Sequence, residues 1–287
     1  MTSTSESQPR SASAVRRAAV ITHGKRATIG PALARLESVA RSAAVELLFS
    51  DEELEKHGIA DADGDVATAD IAIVLGGDGT MLRALTRFVG LDVPVIGVNF
   101  GRVGFLASIR PTDLEAGVAR IFAGDYTIVP LTTLELEVGT VRAAAVNDVV
   151  VLSATRGRMV ELGWTIGGED LGLQPCDGMI CSTPSGSTAY NLSNGGPVLV
   201  RGLDGMAVTF IAAHSLHVRP LVVPRGLELS IRNETPDVRA SVLVDGHSVA
   251  EIDGGAHAVV RLGDRRALLA TLPEATFFRR YRDTFGS

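Results

Sequence analysis

The chain has 287 residues, 46% of them hydrophobic and 21% charged, enough to bury the core of one large domain or two modest ones, which excludes disorder for most of its length. Asp and Glu (33) outnumber Lys and Arg (27), giving a formal net charge of -6 with no basic run, so nucleic acid and an anionic lipid surface are excluded as partners. The longest nearly apolar run, residues 206–213, falls short of the roughly 20 residues that a membrane span requires.

Residues 1–16 are polar and Ser-rich, lack the apolar stretch of a signal peptide, and read as a disordered tail. Strands are expected over 18–22, 45–49, 71–75 and 94–99, and helical spacing over 29–44, 81–89 and 113–122. Strands alternating with helices predict a doubly wound α/β domain over 17–124, its sheet mostly parallel and covered on both faces. The periodicity then changes. Short, turn-bounded apolar runs over 131–138, 141–151, 159–166, 178–182, 207–213, 227–231, 241–244, 257–262 and 267–272 predict an all-β sandwich across 125–272. Residues 273–287 place Phe277, Phe278, Tyr281 and Phe285 at helical spacing in a stretch too short to be stable alone, expected to dock back on the N-terminal domain. Two cysteines, Cys176 and Cys181, make no disulfide framework and lack structural-zinc spacing, which reads as reduced thiols in a cytoplasmic protein.

The sharpest signal is the apolar strand Ile71-Ala72-Ile73-Val74-Leu75 running into Gly76-Gly77-Asp78-Gly79-Thr80 and then a helix. At such a junction the unpaired helix N-terminal amides face outward and glycines let an anion approach the backbone, which suits a phosphate. A structural turn with Asp78 or Thr80 capping the helix is the alternative. Rival phosphate loops fail. Gly24-Lys25 is followed by Arg26 and lacks the Walker glycine, Leu82 stands where a dinucleotide fingerprint needs its third glycine, and the protein-kinase set is missing. A carboxylate inside a phosphate turn is repulsive to its ligand, so Asp78 needs a reason; holding a proton-donating hydroxyl or a magnesium ion supplies one.

Gly76-Gly77-Asp78-Gly79-Thr80 resembles the turn shared by NAD kinases, 6-phosphofructokinases and diacylglycerol-type lipid kinases. The segment Asp177-Gly178-Met179-Ile180-Cys181-Ser182-Thr183-Pro184-Ser185-Gly186-Ser187-Thr188-Ala189-Tyr190, followed by Ser193-Asn194-Gly195-Gly196-Pro197, resembles the second block of NAD kinases alone. Residues 97–106 and His214-Ser215-Leu216 with Arg219-Pro220 also look like that family, and the likeness covers about residues 18–272. A sugar-phosphate or lipid kinase would share the first block and fail on the second, and a non-catalytic NADP sensor would have no use for Asp78.

The resemblance implies transfer of the terminal phosphoryl group of ATP, and in some bacterial members of polyphosphate, to the adenosine 2′-hydroxyl of NAD. It implies Asp78 as general base, with Gly76, Gly77, Gly79 and Thr80 forming the phosphate turn and Asp78 and Gly79 approaching the ribose. Arg83 and Arg158 are implied partners of the pyrophosphate, and Asp177 of the other nucleoside end; Thr188, Ala189, Tyr190 and Ser193 line the substrate. Arg83 and Arg158 also fit solvated surface arginines. Asn147 is an implied nucleotide contact; Asp148 follows it where the family carries Glu, so its reach differs, and a bare hairpin turn is the other reading of the pair. His247 stands where the family carries Gln and reads as a substrate contact or a turn residue, while His214 reads as a core or hinge histidine. Mg2+ with unassigned ligands and a homo-oligomer, tetramer or dimer, complete the implied set.

Overall fold

The computed structural model describes residues 10–11, 13–24, 26–59, 64–101, 104–215 and 217–286. Two compact units divide the chain: the first takes residues up to Pro130 and from Ala267 on, the second is Leu131–Arg266.

The first unit is built on a seven-stranded sheet. In chain order its strands are β1 (Arg10–Ser11), β2 (Arg17–Thr22), β3 (Glu46–Phe49), β4 (Ile71–Gly76), β5 (Val95–Asn99), β6 (Thr127–Leu131) and the last strand of the chain, Ala267–Thr271. Their spatial order is β1, β6, the last strand, β5, β4, β2, β3. β2, β3, β4 and β5 run parallel, and the last strand joins β5 in parallel with Leu269 opposite Val95. β4 is buried along its whole length because helices cover both faces, hence a continuous apolar run in place of alternation. On one face α1 (Arg26–Ala43) and α4 (Leu114–Phe122) set Leu33, Leu36, Leu114, Val118 and Ile121 against Ile71, Ile73, Leu75, Ile96 and Val98. On the other lies α3 (Asp78–Arg87), with Met81, Ala84 and Leu85 buried.

A helix over Asp51–His57, α2, was not visible in the hydrophobic pattern, because its two buried residues are Glu53 and His57. The C-terminal helix, Phe277–Phe285, starts at Thr276, whose hydroxyl accepts from the Arg279 amide at 3.2 Å. Phe277 and Phe285 contact the Phe105 ring with centroids at 6.1 and 5.6 Å, and Arg120 of α4 holds Glu274 at 2.6 Å.

The second unit stacks two six-stranded antiparallel sheets. One has the order β11-β10-β15-β18-β7-β8, from β7 (Leu134–Val138), β8 (Val141–Ala145), β10 (Val160–Ile166), β11 (Glu169–Cys176), β15 (Leu229–Asn233) and β18 (His257–Leu262). The other has the order β14-β13-β12-β9-β16-β17, from β9 (Asp148–Ser153), β12 (Gly178–Ser182), β13 (Gly205–Ile211), β14 (Leu221–Pro224), β16 (Ala240–Val244) and β17 (His247–Ile252). The last strand, Ala267–Thr271, is therefore β19, and the helices α5 (Tyr190–Ser193) and α6 (Phe277–Phe285) complete the count. Alternating residues from both sheets, such as Leu136, Val160, Leu162, Val149, Met179 and Val242, share one core.

Several boundaries differ from the sequence expectation. The sandwich is 131–266 and not 125–272, because β6 and β19 pair in the first sheet. Apolar composition marks a strand, whereas its partner is chosen by long-range pairing. The expected strand 141–151 breaks into β8 and β9 at Asn147. The expected disordered tail is overturned at Arg10–Ser11, which pair with Thr127 and Ile128, and at Val15, which is buried; residues 1–9 and 12 lie outside the described set. Both cysteines are free and buried, and burial pushes both thiols up, away from reactivity.

Candidate active site

β4 delivers the glycine turn to the carboxyl edge of the first sheet, where Gly76 pairs with Asn99 of β5. Gly77 is the N-cap of α3 and Asp78 its first residue, so Asp78 does not cap the helix. Its carboxylate turns to the loop after β5. There it accepts the amides of Phe105 at 2.7 Å, Leu106 at 3.2 Å and Ala107 at 3.2 Å. Gly104 makes this approach possible, since a Cβ there would lie 2.1 Å from Asp78 Oδ2. A Cβ at Gly79 would meet nothing within 4 Å, so this side of the turn is open, while Thr80 is buried behind it.

Basic side chains collect beside the turn, at the end of β2. Arg83 Nη2 donates to the Thr22 carbonyl at 3.2 Å, with Nη1 3.9 Å from Glu52. Lys56 Nζ donates to the same carbonyl at 3.1 Å and to Glu53 at 2.6 Å. Glu53 also accepts the Thr22 amide at 3.1 Å and the Thr22 hydroxyl at 2.6 Å, and His57 Nε2 lies 2.7 Å from that hydroxyl. This buried cluster escaped the sequence reading. Its only signal was an acidic and a basic residue four apart in a polar stretch, the spacing of one helix face.

In the second unit a second aspartate clamps a loop. Asp245 and Gly246 sit at φ 48° and 82° in the two-residue turn between β16 and β17, the left-handed pair that this hairpin requires. The Asp245 carboxylate accepts the amides of Val146 at 2.9 Å, Asn147 at 2.7 Å and Asp148 at 3.2 Å. Asn147 is thereby fixed, and its Oδ1 is buried with no hydrogen-bond partner among the described residues. Its carbonyl accepts the Thr183 amide at 2.9 Å, which ties it to the Ser/Thr-rich block. Within that block the Thr183 hydroxyl donates to Val146 at 2.6 Å and accepts the Gly186 amide at 3.0 Å, and Ser185 Oγ is buried without a partner among the described residues. Thr188 and Ala189 are half-buried beyond it, and Tyr190 and Ser193 are exposed.

The remaining sequence-predicted residues, His247 apart, lie away from these loops. Asp177 precedes β12 whereas Thr183 follows it, so one chain holds Asp177 about 17 Å from the Asn147 end, the length of five strand residues. Arg158 forms a surface ion pair with Asp237 at 2.9 Å, both more than half exposed, which is the solvated-arginine reading. His247 sits exposed in the hairpin with Nδ1 3.1 Å from the Asp245 carbonyl, and His214 is exposed and not a core residue.

Asp148 is buried, 6% exposed, and burial, with the Asp245 charge adding, pushes its carboxyl up to about 7. Its folded pKa exceeds the unfolded one, so its neutral form is stabilising at low pH, and that contribution is lost as pH rises from about 4 to about 7. Asp148→Asn is therefore expected to gain on the order of 1–3 kcal/mol over wild type between pH 5 and pH 8. Thermal unfolding at the two pH values reads this out; a Tm difference that does not change with pH would contradict it.

The comparisons with known proteins agree with these two site-bearing units. The ATP-NAD kinase N-terminal domain family matches residues 39–126 and the ATP-NAD kinase C-terminal domain family matches 146–272. The chain is 38% identical over 223 residues to an NAD kinase of Gemmatimonas aurantiaca, covering 76% of this chain and 77% of that protein. It is 37% identical over 253 residues to one of Ralstonia nicotianae, covering 85% and 83%. Among solved structures, the fold is similar to yeast NADH kinase complexed with NADH (TM-score 0.83, 20% identity, 96% of this chain and 93% of that chain). It is also similar to an Archaeoglobus fulgidus NAD kinase in complex with ATP (TM-score 0.74, 24% identity, 94% and 97%). With both domain families matched in order and relatives above 30% identity over most of the chain, this protein belongs to the ATP-NAD kinase family.

Proposed function

We infer that the protein transfers the terminal phosphoryl group of ATP to the adenosine 2′-hydroxyl of NAD, giving NADP and ADP, with Asp78 as general base. Membership of the family across both units carries the reaction, and the setting of Asp78 supports its role. A carboxylate has about four lone-pair positions, and three backbone amides hold this one in place, leaving capacity for a ribose hydroxyl. As the new oxygen–phosphorus bond forms, the hydroxyl proton passes to Asp78 and the bridging oxygen leaves with ADP. The open side of Gly79 and the amides at the start of α3 suit the phosphates, with Arg83 and Lys56 adding positive charge nearby.

The NAD adenosine is proposed to contact Asn147, whose Oδ1 has no partner among the described residues, and the neighbouring 183–190 block. Magnesium enters as part of the Mg–ATP substrate, neutralising phosphate charge. Among the described residues no group of three or more His, Cys, Asp or Glu side chains is placed to hold a metal ion. A homo-oligomer, tetramer or dimer, is proposed on the family resemblance; a monomer by light scattering at micromolar concentration counts against it. No helix among the described residues is long and apolar enough to cross a membrane, and two buried free thiols support a reducing, cytoplasmic location.

Incubating the protein with NAD and Mg–ATP is expected to form NADP, with polyphosphate run in parallel as the donor. No NADP from NAD with either donor would overturn the reading.

A further inference from the structure

Behind the loop that clamps Asp78, and wholly within the first unit, α6 and residues 104–110 enclose a cleft of about 480 Å³. Two of its lining groups lack partners. Arg280 donates through Nη1 to the Ala107 carbonyl at 3.0 Å, while its Nη2 is buried with no hydrogen-bond partner among the described residues. Ser108 Oγ on the same wall is likewise buried and unpartnered. Buried donors left unmade cost about 1–3 kcal/mol each, more when charged, so two in one cleft mark a place where something else completes them.

The charge on the walls decides what. Three carboxylates line the cleft, and each already has an arginine: Glu274 is held by Arg120 at 2.6 Å, Asp113 by Arg110 at 3.2 Å, and Asp283 by Arg282 at 3.2 Å. Arg279 and Arg280, which also line it, form no ion pair within 4 Å among the described residues; Arg279 interacts with Glu274 and Arg280 with Asp78 only at longer range, so their guanidinium donors are the ones left for a ligand. Two guanidinium groups and a hydroxyl offer more donors than the two oxygens of a carboxylate use, and match the three or four oxygens of a phosphate.

We propose that this cleft binds a small phosphate-bearing ligand on Arg280, Ser108 and Arg279, and that the ligand is felt at Asp78 through Ala107. Ala107 is the relay because it accepts Arg280 at its carbonyl and donates its amide to Asp78 at 3.2 Å. A phosphate on Arg280 draws on the guanidinium that fixes this peptide, and so acts on the group that fixes Asp78. Arg280 and Ser108 are thus ligand-binding and positioning residues, not catalytic ones.

Titration calorimetry of the full chain with inorganic phosphate, under saturating ADP and NADP, tests the binding. Wild type is expected to bind phosphate and not acetate, and Arg280→Gln and Ser108→Ala to weaken it, the first by about 10-fold or more, the loss of a charge-assisted hydrogen bond. Unchanged binding in both variants, no binding by wild type, or acetate bound as tightly as phosphate would overturn the site. Ser108→Ala removes one hydroxyl and serves where Arg280→Gln fails to fold. In the kinetic arm, phosphate is expected to alter kcat in wild type and not in Arg280→Gln; an equal response in both would overturn the relay. The relay rests on Asp78 being the base, whereas binding does not, so phosphate binding by a chain that makes no NADP would refute the proposed reaction and leave this site standing.

Discussion

Asp78→Asn is expected to lower kcat by roughly 100- to 10,000-fold, the range for removing a general base, while the KM for NAD changes far less. The structure sharpens how this result must be read. Asp78 does not cap α3, so the near-neutral outcome of exchanging one good cap for another is not the alternative. The competing role is the clamp on Phe105, Leu106 and Ala107. Asn keeps one acceptor oxygen and turns an NH2 group toward amides that need acceptors, so the loop is expected to loosen, at about 1–3 kcal/mol. A carboxylate that only clamps would lose stability, KM and kcat together and by modest factors. A base gives a collapse of kcat out of proportion to the change in Tm. Steady-state kinetics and thermal unfolding on the same preparation separate the two, and kcat retained within a few-fold would remove Asp78 from the chemistry.

Gly186→Ala is the second large effect expected. A Cβ at this position would lie 2.1 Å from the Asn147 carbonyl oxygen and 2.5 Å from its carbon. Both surfaces are backbone, and both are tied, Asn147 to the Asp245 carboxylate at 2.7 Å and Gly186 to the Thr183 hydroxyl at 3.0 Å. No side chain can rotate out of the way, so the change is expected to cost about 3 kcal/mol, the upper end for overpacking, with Tm falling on the order of 10 °C. Because the displaced group is Asn147, the KM for NAD should rise about 10-fold or more in protein that remains folded. A variant with wild-type Tm and KM would show that the two segments separate freely and that Asn147 does not depend on this contact.

The glycine turn and the Ser/Thr-rich block were legible because each is local: a strand, a turn and a helix start follow one another in sequence. What stabilises them was not. Asp245 reaches back about a hundred residues to hold Asn147, and the only local trace was an Asp-Gly pair suited to a tight hairpin. Glu53 and His57 face inward on α2, so a search for apolar periodicity passes over the helix they define. Asp148 read as a nucleotide contact of altered reach or as part of a hairpin turn, and it is buried, since the chain breaks at Asn147 and starts β9 one residue on. Arg158 takes its solvated alternative, paired with Asp237, and His214, read as a core or hinge histidine, is exposed. In each case the deciding partner lies far along the chain, where neither spacing nor composition reaches.

β19 has a bearing on the birth of the molecule. It lies between β6 and β5 in the first sheet, yet it is made only after the whole of the second unit. A nascent chain that has emerged as far as Pro130 holds every other strand of that sheet and a gap where the last must go, with unpaired edges on β5 and β6. The contiguous stretch 131–266, by contrast, carries its own two sheets and can close as soon as it clears the ribosome. The topology thus favours completion of the second unit before the first, against the usual N-terminal-first order of folding during synthesis. The half that carries Asp78 waits, with open strand edges that invite pairing with other chains, for a strand that arrives some 140 residues later.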